Sequence, residues 1–302
     1  MAKILGISAG SKNGNSEILL KEALMTAEEM GAEAELVRLH DMKIGFCTGC
    51  NACIMDRNRG GDGRCKVYHD DADMIYDKIL EADAFIVAAP CYTLRAPGLL
   101  AAFYDRGIGT GEEFKHRIAA HPKISAIIGV GGAEESVNLL LPFITPQILP
   151  EVNNKLVDQM LAVNIPRRGQ VLIKPEYLER ARVLARNVMD ALSVPYEKAE
   201  YRGDLQETCP LCHSNLLRIV GDQVECPFCD IKGDLVKEDG VLAVRYSQEQ
   251  LDSRMRGTGK EFEEWHEQMT KRRMQEYEDH KQEIQEKMKK YRDFPLVKPV
   301  SR

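Results

Sequence analysis

The sequence predicts an α/β protein: a doubly wound parallel sheet, then a small cysteine-rich module, then a long charged helix. Three observations lead there. Short apolar runs alternate with amphipathic stretches over the first two hundred residues, the pattern of parallel strands joined by crossover helices. Two C-x-x-C pairs, "CPLC" (209–212) and "CPFC" (226–229), follow among short strand-like runs. From Lys260 to Phe294 the chain is almost wholly charged and polar and contains neither Gly nor Pro.

The elements follow in order. "KILGIS" (3–8) reads as the first strand, and residues 16–30 as a helix with Ile18, Leu19, Ala23, Leu24 and Ala27 on one side. "AELVRLH" (34–40) is a second strand. Residues 70–83 carry Met74, Ile75, Ile79 and Leu80 at helical spacing, with acidic residues at the start where the helix dipole favours them. "AFIVAAP" (84–90) is a buried strand that stops at a proline, residues 97–105 form a helix, and "KISAIIGVGG" (123–132) is the fourth strand. A fifth strand falls within 155–165. Residues 175–192 close the unit, with Pro175 in the first helical turn, where a missing N–H costs little. The expected domains are 1–200 with a cysteine loop at 46–70, a module at 204–246, and a helical tail at 247–302.

A chain of 302 residues can bury one sizeable core and carry something extra. A net charge of −6 speaks against a dedicated nucleic-acid binder. The N-terminal apolar run is too short for a signal segment and nothing is long enough to span a bilayer, so a cytoplasmic protein with no membrane partner is expected. Nine cysteines in a reducing compartment point to metal ligands or catalytic thiols rather than disulfides.

"SAGSKNGNS" (8–16) lies between the first strand and the first helix, where an open α/β sheet receives a ligand phosphate. It is neither G-x-G-x-x-G nor a P-loop, so neither a dinucleotide nor ATP is its natural guest. Ser8, Ser11, Asn13, Asn15 and Ser16 offer neutral donors, and the helix N-terminus adds partial positive charge, which suits a phosphate monoester. Read alone, the stretch could equally be a plain Gly/Asn/Ser turn. "APCYTLRAPG" (89–98) and "GVGGAEESV" (129–137) leave the third and fourth strands at the edge where such folds build their crevice. Tyr92 and the backbone of 91–95 suit contact with a planar ring, and Gly131 and Gly132 allow a close approach.

The order GSxxxGNS, then C-x2-C-x2-C…C…DD, then "PCYTLRAPGLLAAFYDR" resembles the NADPH-dependent FMN reductase superfamily of flavodoxin-like proteins, and within it the iron-sulfur flavoproteins. The resemblance covers roughly residues 3–195. It implies FMN, with its phosphate on Ser8, Ser11, Asn13, Asn15 and Ser16. It also implies that Pro90, Tyr92, Thr93, Leu94 and Arg95 edge the isoalloxazine, with Gly131 and Gly132 nearby. Cys91 falls in the same loop, as a small residue rather than a redox thiol. The "YDR" signature (104–106) reads as structural, because an acid and a base at a helix end pair more often than they react.

"FCTGCNACIMDRNRGGDGRC" (46–65) gathers four cysteines. C-x2-C-x2-C is the local part of a ferredoxin pattern, and the glycines at 60, 61 and 63 let a fourth thiol return. The resemblance implies a 4Fe-4S cluster on Cys47, Cys50, Cys53 and Cys65, although the eleven-residue gap before Cys65 is longer than the family's usual compact spacing. Zinc and free thiols are the alternatives. In the later module, Cys209, Cys212, Cys226 and Cys229 form the pattern of a tetrahedral ion site. The module resembles a zinc ribbon, with an iron site of the rubredoxin kind as the competing reading. Hairpins are expected to turn at Gly221-Asp222 and within 234–246. In the tail, Phe262, Trp265 and Met269, then Tyr277, Ile284, Met288 and Tyr291, form a narrow apolar stripe on a helix of roughly 50 Å.

The expected function is a redox flavoprotein passing electrons between cluster and FMN to reduce a small acceptor, with ferredoxin or NAD(P)H as donor and a dimer or tetramer as the working form. No side chain stands out as acid or base; His69, Asp70 and Tyr92 are the nearest titratable candidates, each read as structural. One alternative is a cluster-free NAD(P)H-dependent quinone or flavin reductase. Another is a flavin-sensing binding protein that recruits a partner through ribbon and tail.

Overall fold

The computed structural model describes residues 1–57, 59–109, 120–133, 154–204, 208–238, 240–252 and 260–292. Five parallel strands form the main sheet: β1 (Lys3–Ser8), β2 (Glu33–Arg38), β3 (Ala84–Pro90), β4 (Lys123–Val130) and β5 (Asn154–Ala162). Their order is β2-β1-β3-β4-β5. This is the flavodoxin-like arrangement, in which the winding direction reverses between β1 and β3. The helices of this part are α1 (Asn15–Glu29), α2 (Ala52–Arg57), α3 (Asp71–Glu81), α4 (Gly98–Asp105) and α5 (Pro175–Leu192).

Strand alternation sorts the core into two layers, because successive side chains leave opposite faces. Ile4, Ile86, Ala88 and Ile128 meet Leu19, Leu20 and Ala23 of α1 and Leu184 and Val188 of α5. Leu5, Ile7, Phe85 and Val87 meet Ile75 and Ile79 of α3 and Leu100 and Phe103 of α4. Each of the buried Ile, Leu, Val and Phe side chains among these contributes roughly 1.5–3 kcal/mol. At Gly6 a Cβ would come within 2.7 Å of Leu24, so the glycine sets how closely α1 lies on the sheet.

The outer edge of β5 is covered rather than bare. The N–H of Arg202 donates to the Val157 carbonyl at 2.7 Å, and Asp158 of β5 is buried against Arg180 and Asn187 of α5. β5 ends at Ala162, three residues before the expected limit. Asn164 takes a left-handed φ of 58°, and the Val163 N–H turns to the Tyr177 hydroxyl at 3.2 Å instead of the ladder.

A second, antiparallel sheet runs β6 (Arg218–Val220), β7 (Gln223–Glu225), β8 (Lys232–Glu238) and β9 (Val241–Tyr246), followed by a short helix α6 (Gln248–Asp252). Both hairpins form where the sequence puts them, and Gly221 supplies the positive φ of 65° that the first turn needs. This ribbon is docked on the α3/α4 face: its four cysteines and Ile231 belong to the same buried layer as Leu5 and Phe85. The joint is polar as well. The Tyr201 and His213 rings stack at 3.7 Å, and Gln159 donates to the His213 carbonyl at 2.9 Å and to the Tyr201 hydroxyl at 2.6 Å. Burial there pushes His213 down to about 4.

The chain divides into two compact units, Met1–Thr258 and Gly259–Arg302. The second holds α7 (Lys260–Met288) and a terminal turn, Lys289–Tyr291. Tyr277, Met288 and Tyr291 are exposed on it and Ile284 is half-buried. Phe262, Trp265 and Met269 of the expected stripe lie outside the described side chains. Among the described residues no helix is long and apolar enough to cross a membrane.

Candidate functional site

In a parallel sheet every strand hands its chain over at one edge, so the loops after β1, β2, β3 and β4 meet there. Main-chain bonds carry the ladder past the strand ends: Ala9 N–H to Ala88, Cys91 N–H to Val130 and Gly131 N–H to Ala162, at 2.7–2.9 Å. These fix the roots of the loops.

After β1, α1 begins without a side-chain cap, its N-cap being Gly14. Its first-turn N–H groups therefore keep their donors for a ligand, with the dipole behind them. The Ser8 hydroxyl is buried and finds no partner among the described residues, while Ser16 is buried beside Gly10, where a Cβ would strike the Ser16 hydroxyl. An orphaned buried hydroxyl, bare helix N–H groups and a glycine-only contact fit an anion with several acceptor oxygens. Asn13 adopts a left-handed φ of 55° and its N–H donates to Glu17 at 3.2 Å. Glu17 is buried; burial alone would raise its pKa, but hydrogen bonds from Arg38 and Lys21 and the Asn13 N–H bring it down to about 2. Its charge is thus neutralised within the protein. Asn15 has different work from that expected. Its amide donates to the carbonyls of Ile165 and Arg167, both at 2.8 Å, and accepts from Val171 N–H at 3.1 Å, which leaves its backbone N–H as its donor in the loop.

After β3, Tyr92 and Arg95 exchange backbone hydrogen bonds at 2.8 and 3.2 Å across a two-residue turn, with Thr93 and Leu94 both at positive φ, 50° and 63°. Such a turn prefers Asn-Gly; Thr and Leu hold it at a conformational cost of about 1–3 kcal/mol per residue. The turn presents Tyr92 and Leu94 half-exposed, with Thr93 and Arg95 exposed beside them. Pro90 and Cys91 at its root are half-buried, and burial pushes the Cys91 thiol up. Gly131 and Gly132 face the loop after β5: the Ile165 N–H reaches the Gly131 carbonyl at 3.4 Å, and a Cβ on Gly132 would press on Pro166 at 3.3 Å.

The cysteine loop follows β2. Cys47, Cys50, Cys53 and Cys65 line one pocket, open to solvent, together with Thr48, Lys66, Tyr68 and Arg106. Cys47 and Cys50 are exposed, and Cys53 and Cys65 half-buried. The Ala52 N–H and the Thr48 hydroxyl hold Cys50 down, whereas burial pushes Cys53 up. A clamp closes the loop at both ends. Asp70 caps α3 through the Ala72 N–H, accepts from the Gly45 N–H at 2.7 Å, and pairs with Arg106 at 2.6 Å; Arg106 also donates to the Gly45 carbonyl at 3.2 Å. Burial raises the Asp70 carboxyl, but Arg106 and the two N–H groups outweigh it and leave the pKa lowered. The guanidinium carbon of Arg106 lies over Tyr68, 5.1 Å from the ring centroid, and Tyr68 also lies against Gly45, where a Cβ would sit 2.6 Å from the ring. The "YDR" arginine thus pairs with the acid of the earlier "DD", not with Asp105 beside it. His69 is exposed.

In the ribbon the four sulfurs lie within 4.8 Å of one another, all buried. Cys209–Cys229 and Cys212–Cys226 are 3.7 and 3.6 Å apart. Tetrahedral ligands at about 2.3 Å from one ion stand about 3.8 Å from each other. The spacing is that of a single ion, shared by zinc and iron. Each knuckle repeats one backbone pattern. His213 N–H reaches Cys209 and Asp230 N–H reaches Cys226, each at 2.9 Å, with His213 and Asp230 at φ 56° and 60° where glycine is customary. Contacts among the four thiols hold Cys209 and Cys226 down and push Cys212 and Cys229 up; a bound cation would hold all four down.

The sheet order defines a flavodoxin-like fold, and relatives by sequence make the protein an FMN-dependent oxidoreductase. Residues 2–149 match the family described as NADPH-dependent FMN reductase. A flavone synthase of Aspergillus candidus, cfoJ, is 32% identical over 261 residues, which cover 79% of this chain and 80% of that protein. An iron-sulfur flavoprotein of Methanosarcina thermophila is 35% identical over 132 residues, covering 43% of this chain and 64% of its relative. Among solved structures, a flavone reductase matches in fold over 98% of this chain and 100% of its own, with a TM-score of 0.75 at 24% identity. The chain belongs to the NADPH-dependent FMN reductase family.

Proposed function

We propose that the protein exchanges two electrons between FMN and a planar conjugated substrate, an aryl enone of the flavone kind or a quinone, with single electrons entering through a 4Fe-4S cluster on Cys47, Cys50, Cys53 and Cys65. One observation carries the reading. The cysteine loop follows β2 and the phosphate loop follows β1, adjacent parallel strands, so both sites leave the sheet at the same edge. The iron-sulfur flavoprotein relative supports the cluster, and the flavone synthase relative supports the substrate class. FMN, when bound, supplies hydride or single-electron chemistry, and a cluster carries one electron.

The chain's own residues have definite tasks in this reading. Ser8, Ser11 and Ser16, with the N–H groups opening α1, hold the phosphate. Tyr92 and Leu94 offer an aromatic and an apolar surface to a flat ring. Cys209, Cys212, Cys226 and Cys229 hold zinc, which fixes the ribbon on the domain. The exposed Tyr277, Met288 and Tyr291 of α7 suit a contact between copies in a dimer or tetramer. A second reading, direct reduction by NAD(P)H without a cluster, is favoured by the match to an NADPH-dependent family.

Anaerobic turnover of a flavone or quinone with two donors separates the readings. Turnover driven by a reduced ferredoxin should be lost in Cys53→Ala while FMN content is kept. Turnover with NADPH alone, unaltered in that variant, would establish the second reading instead.

A further inference from the structure

We propose that Arg106 is a positioning residue for the electron carrier of the cysteine loop, its Nε–H and Nη2–H donating to sulfur and favouring the reduced state. This rests on the reading that the loop holds a 4Fe-4S cluster. Arg106 is 8% exposed as a residue, and its side chain only 2%. Its Nη1 is committed to Asp70 at 2.6 Å and to the Gly45 carbonyl at 3.2 Å. Its Nε and Nη2, the two-donor edge of the fork, are buried and meet no acceptor among the described residues.

A buried, unpaired N–H costs about 1–3 kcal/mol, and more on a charged group. Arg106 lines the pocket with all four thiols, and Cys65 is the thiol within its electrostatic reach. The other cation lining the pocket, Lys66, is already engaged by Asp56 at 2.9 Å and Asp62 at 2.7 Å. The pocket is thus lined by four thiols and by an arginine that keeps an unused pair of buried charged donors. Hydrogen bonds to the sulfurs and nearby charge are among the levers that set a cluster's potential. Reduction adds one electron and no proton, so hydrogen bonds donated to the sulfur of a bound cluster would stabilise the more negative state and raise the potential. Asp70 holds the guanidinium in place but has no proton to donate.

The test is a potentiometric titration of the full-length, anaerobically reconstituted protein, following cluster and flavin separately by visible absorption and electron paramagnetic resonance. Wild type is compared with Arg106→Lys and Arg106→Gln. Lysine keeps the charge opposite Asp70 and loses the fork; glutamine loses both. The cluster midpoint should fall in Arg106→Lys and further in Arg106→Gln, with the flavin midpoint, FMN content and zinc content unchanged. Should Arg106→Gln fail to fold, Arg106→Lys alone decides. An unchanged cluster midpoint in a folded, cluster-loaded variant would mean that Arg106 only clamps the loop, and would overturn the proposal. A wild-type protein that takes up no iron and sulfide would overturn the cluster reading itself, a result seen before any variant is made.

Discussion

Two sets of four cysteines share this chain and are built in opposite ways. In the ribbon, two short knuckles bring all four sulfurs within 4.8 Å, bury them completely and orient them with repeated backbone hydrogen bonds. In the loop after β2, four thiols line an open pocket, two of them exposed, and the order resides in the loop's ends, where Asp70, Gly45 and Arg106 interlock. A module of some forty residues has little core of its own, so an ion on its four thiols would add to the packing that holds it on the domain. The loop hangs from the main sheet and need not bind an ion in order to fold. In the proposed reading one set serves folding and the other serves electron exchange.

The sharpest break in that comparison comes from removing one ligand on each side. Cys212→Ser should strip the ribbon of its ion, a loss on the scale of roughly 10–16 kcal/mol in small zinc modules. Residues 208–246 should then become sensitive to limited proteolysis. Cys50→Ser, at an exposed position, should leave thermal stability within about 0.5 kcal/mol while abolishing iron and sulfide uptake. Equal destabilisation by the two would dissolve the contrast.

The clamp comes next in size. Asp70→Ala leaves Arg106 buried without its counter-ion and should cost about 3–5 kcal/mol by denaturant melting. The cysteines of the loop should then be alkylated faster, with those of the ribbon unchanged.

The phosphate loop should be indifferent to both cysteine sets. Ser8→Ala removes a donor to a charged group, worth about 1.5–3 kcal/mol, so FMN binding should weaken roughly 10–100-fold by fluorescence titration, with zinc retained.

The smallest effect is a pH dependence. Glu17 has a folded pKa near 2 against its ordinary 4.5. A depressed carboxylate contributes stability that is complete above pH 4.5 and is lost as pH falls through the window down to about 2. Glu17→Gln should be less stable at neutral pH and should lack that part of the acid limb in melts recorded across the range.

Local patterns made most of the fold legible. β1, β3 and α5 begin and end where apolar runs, a terminal proline and an N1 proline put them. The ribbon cysteines were legible because C-x-x-C spacing is itself the geometry of the site. What sequence reasoning missed lies across long separations. Arg106 meets Asp70 and Gly45 over 36 and 61 residues, and nothing local in "YDR" says which acid it takes. The joint occurrence of "DD" after the cysteines and "DR" after the third strand was the available signal. Asn15 read as a phosphate donor together with its neighbours, yet its amide ties the loop after β5 to α1 over 150 residues. The left-handed Thr93 and Leu94 were also hidden, since both residue types argue against such a turn.

The most direct measurement is a combined metal, sulfide and flavin analysis of the full-length protein, prepared without oxygen and read with its visible spectrum. Different cargo at the two cysteine sites requires about four iron and four sulfide per chain, about one zinc, and stoichiometric FMN. Zinc at both sites with no acid-labile sulfide, in protein that still binds FMN, would contradict it.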